Sequence, residues 1–335
     1  SRSPGVLHQH SQRTPVAEAM PASPPARHNL VDIVVVSWNT RELTLDCLHS
    51  VQAEMAAFAV DAKIWVIDND SADGTAEAVQ QAFPNFTLIC NEENVGFARA
   101  NNQAIVLGTG AWVLLLNSDT LVPPGELKRL MDYAQENPIV GVVGPRLNYQ
   151  NGAPQTSVDT ITTPLTQMAF LASFYFPPFD NWFRKLFRKR RYGLVSGSDP
   201  RRVELLSAAC LLVRRDVFEQ VGLLPEQYFL FSEENDFFWR VKHAGIVCMF
   251  QPQIAIVHLL GGSRKPQSDR SNSDKLFLSG RLRFLLHRYP AQRELTIRSH
   301  RAFLYWCIGY SKLSDTLRRR PGGFVQWYQE LAELV

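Results

Sequence analysis

VDIVVVS (31–37) decides how the rest of this chain is read. It is short, apolar and β-branched with little polar alternation, the pattern of a strand covered on both faces in a parallel sheet. Outward from it the same texture returns in AKIWVID (62–68), FTLICN (86–91), AWVLLLN (111–117) and IVGVVGP (139–145). Between these runs lie helical periods. Leu43, Cys47, Leu48, Val51 and Met55 share a helical face over 41–56, and helices are expected at about 73–82, about 97–108 and from Pro123-Pro124 to about Glu136. Strands alternating with helices of this length imply right-handed βαβ units and a doubly wound, mainly parallel sheet with helices on both faces. Ligands of such sheets bind outside the carboxyl ends of the strands. Asp68, Asn91 and the segment 117–119 all fall there.

The second half reads differently. Residues 146–200 have weak periodicity, many prolines and aromatics, and the basic stretch NWFRKLFRKRRYGL (181–194). RVELLSAACLLVRRDVFEQVG (202–222) reads as a strand followed by a helix. SEENDFFWRVKHAG (232–245) reads as a helix with Ser232 as N-cap and Gly245 near the C-cap. Strands are expected at about 247–250 and at IAIVH (254–258), and from Lys275 onward apolar and basic residues alternate in helical segments.

The length of 335 residues suffices for one large domain with appendages, and a net charge of +3 gives no argument for nucleic acid. Five scattered cysteines without a CxxC fit free thiols in a reducing cytosol rather than a disulfide framework. No run reaches the roughly 18 to 20 apolar residues of a membrane-spanning helix. Residues 1–29, rich in Pro, Ser, Ala and His and lacking an apolar core, read as a disordered tail rather than a secretory signal.

Several constellations could carry chemistry. In NSDT (117–120), Asp119 ends a buried strand and could hold a hard divalent cation against a diphosphate, with Asn117 as a neutral oxygen donor. Turn capping explains the same residues. In IDNDSADGT (67–75), Asp68, Asn69 and Asp70 are placed to bind a nucleobase or ribose, and Asp73-Gly74 is also ordinary turn chemistry. ENVGFARANNQAI (93–105) offers Gly96 for close backbone approach, Arg99 near a helix start, and the adjacent amides Asn101 and Asn102. A solvated helix face is the alternative. FSEENDFFWR (231–240) crowds Glu233, Glu234 and Asp236 into one helical turn, with Arg240 on the face of Asp236. Acids at a helix start are favoured by the dipole alone, yet three this close repel, and one could carry a raised pKa suited to a general base. His258 ends the strand IAIVH just before two glycines, as a ligand or as a structural histidine.

Taken together, VVSWNT (35–40), IDNDSADGT (67–75), NVGFARANN (94–102), LLLNSDT (114–120), GPRLNYQNG (144–152), SAACLLVRRDVFEQVGLLPEQYF (207–229) and SEENDFFWRVKHAG (232–245) resemble the bacterial family 2 glycosyltransferases, particularly rhamnosyltransferase-like members. The resemblance spans about residues 31–265. It implies a GT-A catalytic domain over 30–265, with a nucleotide-sugar half at 30–145 and an acceptor half at 146–265. Residues 266–335 would then be a helical, membrane-associating extension.

The resemblance further implies a divalent metal (Mg²⁺ or Mn²⁺) held by Asp119 and His258, and direct inverting transfer. It implies donor binding by Ser37, Asn39, Asp68, Asn69, Asp70, Gly96, Arg99, Asn102, Asn117 and Ser118. Position for position Glu234 takes the base role, with Asp236 and Glu233 beside it. Two departures stand out: Asn117 replaces the first Asp of the usual DxD, and the acidic pair is Glu-Glu. The expected reaction moves a sugar, L-rhamnose from dTDP-rhamnose or another sugar from a UDP donor, to a glycan or polyprenyl-diphosphate-linked acceptor. The basic amphipathic stretch suits an anionic membrane surface, so a cytoplasmic, peripheral location is expected. A non-catalytic nucleotide-sugar or glycan-binding protein on the same fold is the competing class. A dehydrogenase is disfavoured because no GxGxxG follows the first strand.

Overall fold

A computed structural model describes residues 27–175, 197–259, 267–303 and 305. The parallel half comprises β1 (Arg27–Ser37), α1 (Arg41–Phe58), β2 (Ala62–Asp68), α2 (Thr75–Ala82), β3 (Thr87–Cys90), α3 (Phe97–Leu107) and β4 (Gly110–Asn117). The chain continues through β5 (Thr120–Leu121), α4 (Glu126–Glu136), β6 (Val140–Asn148), β7 (Val158–Asp159) and α5 (Pro164–Tyr175). After β8 (Arg201–Arg202), β9 (Leu205–Leu206) and β10 (Cys210–Arg214) come α6 (Arg215–Val221), α7 (Glu233–His243), β11 (Val247–His258) and α8 (Gln267–Arg288). Residues 293–303 are again helical.

One sheet of nine strands runs β3-β2-β1-β4-β10-β6-β11-β5, with β8 on β11. β1 pairs in parallel with β2 and β4, which brings Ser37, Asp68 and Cys90 level at one edge. The run 31–37 is apolar throughout because both its faces are covered. Val34 packs with Ile67, Leu115 and Val213 beneath Phe218 and Phe237. Ile33 and Val35 pack with Leu114 and Leu212 beneath Leu48 and Leu127. Each such fully buried side chain is worth about 1.5–3 kcal/mol.

Four expectations change. The strand of 139–145 is not the neighbour of β4, because β10 lies antiparallel between β4 and β6. CLLVR is buried on both faces like any inner strand, so its direction leaves no trace in its pattern. The strands expected at 247–250 and 254–258 are one strand, whose register against β6 shifts between Gln251 and Ala255. The helix of 232–245 begins without a side-chain cap from Ser232, which sits at φ +73° with its hydroxyl buried. β1 opens at Arg27, ahead of the expected domain start. The basic stretch 181–194 lies outside the described residues, as do residues 1–26, 304 and 306–335.

Candidate active site

The carboxyl ends of β1, β2 and β4 are bound to one another by short polar side chains. Ser37 Oγ shares hydrogen bonds with Thr44 (2.7 Å) and Thr40 (3.1 Å), and Thr40 reaches Ser118 Oγ at 3.1 Å. Asn39, at φ +52°, donates its backbone N–H to Ser71 Oγ and accepts from Ala72 N–H, so the loops after β1 and β2 clasp each other. Asp68 is buried: one carboxylate oxygen accepts from Ser71 N–H at 3.0 Å, and the other, Oδ1, is buried with no partner among the described residues. An unpaired buried acceptor costs about 1–3 kcal/mol, so this oxygen is a candidate for a ligand's N–H or O–H.

Other expected donor residues have their capacity committed inside the fold. Asn69 donates to Asn94 and Gly96 and accepts from Asn91 and Val95, which uses the whole amide. Asn102 clasps the main chain of Leu224 from both sides and also donates to Glu226. Asn101 bonds back to Phe97 O. The amide pair inside α3 is thus accounted for by anchoring rather than by an open ligand surface. At Gly96, φ +83°, a Cβ would stand 2.5 Å from Phe229 O, so what approaches this glycine is the 229 loop. Asp70 and Arg99 are exposed.

Asp119 and His258 meet because β5 pairs antiparallel with the end of β11, setting Thr120 against His258. His258 Nε2 stands 3.1 Å from Asp119 Oδ1, and both side chains are about nine-tenths buried, at 11% and 10% exposure. The far nitrogen, Nδ1, faces Gln155 Oε1 at 3.0 Å. One carboxylate and one imidazole make a donor set suited to Mn²⁺ or Mg²⁺, the remaining positions falling to phosphate oxygens and water. Among the described residues no group of three or more His, Cys, Asp and Glu converges. A cation here would therefore be held by two such side chains, with the half-buried Asn117 at the adjoining strand end.

The acids divide into distinct roles. Asp236 is fully buried and accepts from Tyr228 OH (3.1 Å), Arg240 Nε (3.2 Å), and Arg288 Nε (3.1 Å) and Nη2 (2.7 Å). Four donors fill a carboxylate's four lone-pair sites, so Asp236 has none left for a substrate proton. Glu234 is half-buried and accepts Ala208 N–H at 2.8 Å, while the neighbouring Ala209 O accepts Asn117 N–H. Two adjacent residues of one loop therefore connect the acid to the end of β4. Burial pushes the Glu234 carboxyl above the usual range. Glu233 is buried, with Oε2 unpartnered, and burial together with the Glu234 charge pushes it up as well. Both acids are presented by Phe231 and Ser232, consecutive non-glycine residues at positive φ, with Gly280 of α8 packed against the Phe231 carbonyl and the Ser232 side chain. Such strain costs of order 1–3 kcal/mol per residue and is found where the surrounding structure enforces it.

The structure thus gathers Ser37, Asp68, Asn117, Ser118, Asp119, His258 and Glu234 at one end of the sheet. Sequence reasoning missed Gln155, Tyr228 and Arg288, whose partners lie 103, 8 and 52 residues away. It also missed Arg146 near the end of β6, whose Nε is buried without a partner among the described residues. Arg146 and Tyr228 lie inside segments that carry the family resemblance, but nothing in those segments singles them out, and Gln155 and Arg288 lie in none of them.

Comparison with known proteins points one way. The profile of Glycosyl transferase family 2 matches residues 32–222. The N-acetylglucosaminyl-diphospho-decaprenol L-rhamnosyltransferase of Mycobacterium tuberculosis is 32% identical over 259 residues, 71% of this chain and 82% of the relative. A mannosyltransferase from Pyrobaculum calidifontis, solved with GDP-Man and Mn²⁺, superposes with a TM-score of 0.53 at 16% identity over 93% of this chain and 87% of its own. GalNAc-T7, solved with UDP, GalNAc and Mn²⁺, gives 0.55 at 12% identity over 91% of this chain and 54% of its own.

Proposed function

The chain belongs to glycosyl transferase family 2 and is a glycosyltransferase on a GT-A fold, and from that premise we propose that it moves L-rhamnose from dTDP-rhamnose to a hydroxyl of a polyprenyl-diphosphate-linked saccharide, with inversion at the anomeric carbon. The transferred sugar and the kind of acceptor are those in the name of the mycobacterial relative, and dTDP as the carrier rests on the family resemblance. The observation that carries the site assignment is the contrast within the acidic turn. Asp236 is saturated by four donors, whereas Glu234 keeps one oxygen without a hydrogen-bond partner among the described residues and is tied through the 208–209 backbone to the strand end that bears Asn117 and Asp119.

In this reading the donor nucleotide lies over Ser37, Asp68 and Ser118, where Asp68 Oδ1 takes a hydrogen bond from the base or ribose. Asp119 and His258 would hold a divalent cation, which would supply Lewis-acid stabilisation of the nucleoside diphosphate leaving group. Glu234 accepts the proton of the acceptor hydroxyl as that oxygen attacks the anomeric carbon from the face opposite the leaving group. Burial, then the Glu234 charge, pushes the Glu233 carboxyl up, so that it resists ionising beside Glu234. The acceptor's lipid would keep the protein on the cytoplasmic membrane face as a peripheral enzyme. Among the described residues no helix is long and apolar enough to cross a membrane.

The test is a transfer assay with polyprenyl-diphosphate-GlcNAc as acceptor and a panel of dTDP-, UDP- and GDP-sugars, with Mn²⁺, with Mg²⁺ and with chelator. Metal-dependent transfer from dTDP-rhamnose with inverted product is expected. Transfer from a UDP-sugar alone would overturn the donor assignment. Unchanged transfer under chelator would overturn the cation site.

A further inference from the structure

Gln155 is 5% exposed and wedged between the ends of β6 and β11. Its backbone is fixed by donation to Leu147 O at 2.8 Å, and Pro154 beside it bridges to Asn148. Its side-chain NH₂ donates to two main-chain carbonyls, those of His258 and of Asn148 (3.3 Å). Carbonyl oxygens only accept, so the amide cannot be turned over without losing both bonds and facing oxygen against oxygen. Oε1 is therefore the atom 3.0 Å from His258 Nδ1, and since an amide oxygen only accepts, Nδ1 must carry a proton. In the neutral ring the lone pair then sits on Nε2, the nitrogen that faces Asp119.

We infer that Gln155 is a positioning residue for the divalent cation: it sets the tautomer and plane of His258 so that Nε2 and Asp119 grip one ion. This rests on the cation site proposed above. Outer partners of this kind hold a ligating imidazole in register, and their loss typically lowers metal affinity about 10–100-fold. A purely structural role, tying β11 to the 148–155 hairpin, would need the NH₂ donations and not the Oε1 contact. The two roles can therefore be separated. Gln155→Glu keeps an acceptor for Nδ1–H and loses both donations, whereas Gln155→Leu loses everything.

The experiment is Mn²⁺ titration of the full chain by electron paramagnetic resonance at fixed dTDP, with melting temperature recorded alongside. Gln155→Leu is expected to bind Mn²⁺ about 10–100-fold more weakly. Gln155→Glu should melt earlier and yet stay within about threefold of the parent affinity. Equal losses in the two variants, or none in Gln155→Leu, would overturn the inference. His258→Ala is the control: if it leaves Mn²⁺ affinity unchanged, the cation site itself fails. If His258→Ala weakens binding and Gln155→Leu does not, only the role of Gln155 fails. Should the variants not fold, the parent protein still decides the matter. Long-range ¹H–¹⁵N correlation on histidine-labelled chain should show Nδ1 of His258 protonated, and a bare Nδ1 would overturn the assignment.

Discussion

The two ends of the sheet are built on opposite principles. At the amino end Asp32, fully buried, accepts from Trp65 Nε1 (2.9 Å), Gly110 N–H (2.6 Å) and Arg215 Nη2 (2.6 Å). Arg215 also donates to Gly110 O through Nε and to Ile105 O through Nη1. Charge is buried there and satisfied. At the carboxyl end Asp68 Oδ1, Ser232 Oγ and Glu233 Oε2 are buried without partners. Of the five non-glycine residues at positive φ among those described, Asn39, Asp70, Phe231 and Ser232 lie in the loops of this end. Unmet polar groups and backbone strain lower stability and persist where a ligand or a reaction uses them. The amino end holds the fold together, and the carboxyl end gives up part of that stability for chemistry.

Substitutions that hit one end and spare the other can break that contrast. The largest expected effect is Glu234→Gln, which should lower kcat by about 10²–10⁴, the usual worth of a general base, and leave the urea midpoint unchanged. A matching drop in stability would mean that Glu234 is structural. At the amino end Arg215→Met leaves the Asp32 carboxylate buried and unpaired, and should cost about 3–5 kcal/mol in urea unfolding. Nucleotide affinity of the fraction that remains folded should not change.

Glu233 sharpens the contrast by its pH dependence. Its carboxyl is held above the ordinary range by burial, then by the Glu234 charge. A carboxyl whose folded-state pKa exceeds its unfolded value binds its proton more tightly in the fold, so stability is greatest below the unfolded pKa and is lost as pH rises through the folded one. Glu233→Gln should therefore raise the melting temperature at pH 8 and leave it nearly unchanged at pH 4, as read from thermal melts across that range. The smallest effect expected is from Ser232→Gly, which removes both a positive-φ side chain and an unpaired hydroxyl, and should stabilise by about 1 kcal/mol. A fall in kcat alongside that gain would show that the strained turn aims the acids.

The parallel half of the fold was legible because its inner strands β1, β2 and β4 advertise burial on both faces and its helices their period. β10 was legible as a strand but its place and direction were not, since pairing direction has no residue signature and depends on contacts with β4 and β6 far along the chain. Asp119 and His258 stood out as polar residues at strand ends, whereas the acidic turn offered three candidates and the choice of Glu234 came from the family resemblance. Asp236 shows the limit. Its occupation by Arg288 depends on where α8 lands, and no pattern in 231–240 reports that. Asn102 shows the same limit from the other side, a conspicuous amide in a helix whose partner is the main chain of Leu224.

The most direct test of the central claim is nucleotide-dependent thermal stabilisation, using dTDP and UDP with and without Mn²⁺, in the parent chain and in Asp119→Ala. The account predicts a shift in the parent that requires Mn²⁺ and disappears in Asp119→Ala, whose own melting temperature stays close to the parent's. A nucleotide shift that survives in Asp119→Ala, or no shift with either nucleotide under any metal, would contradict it.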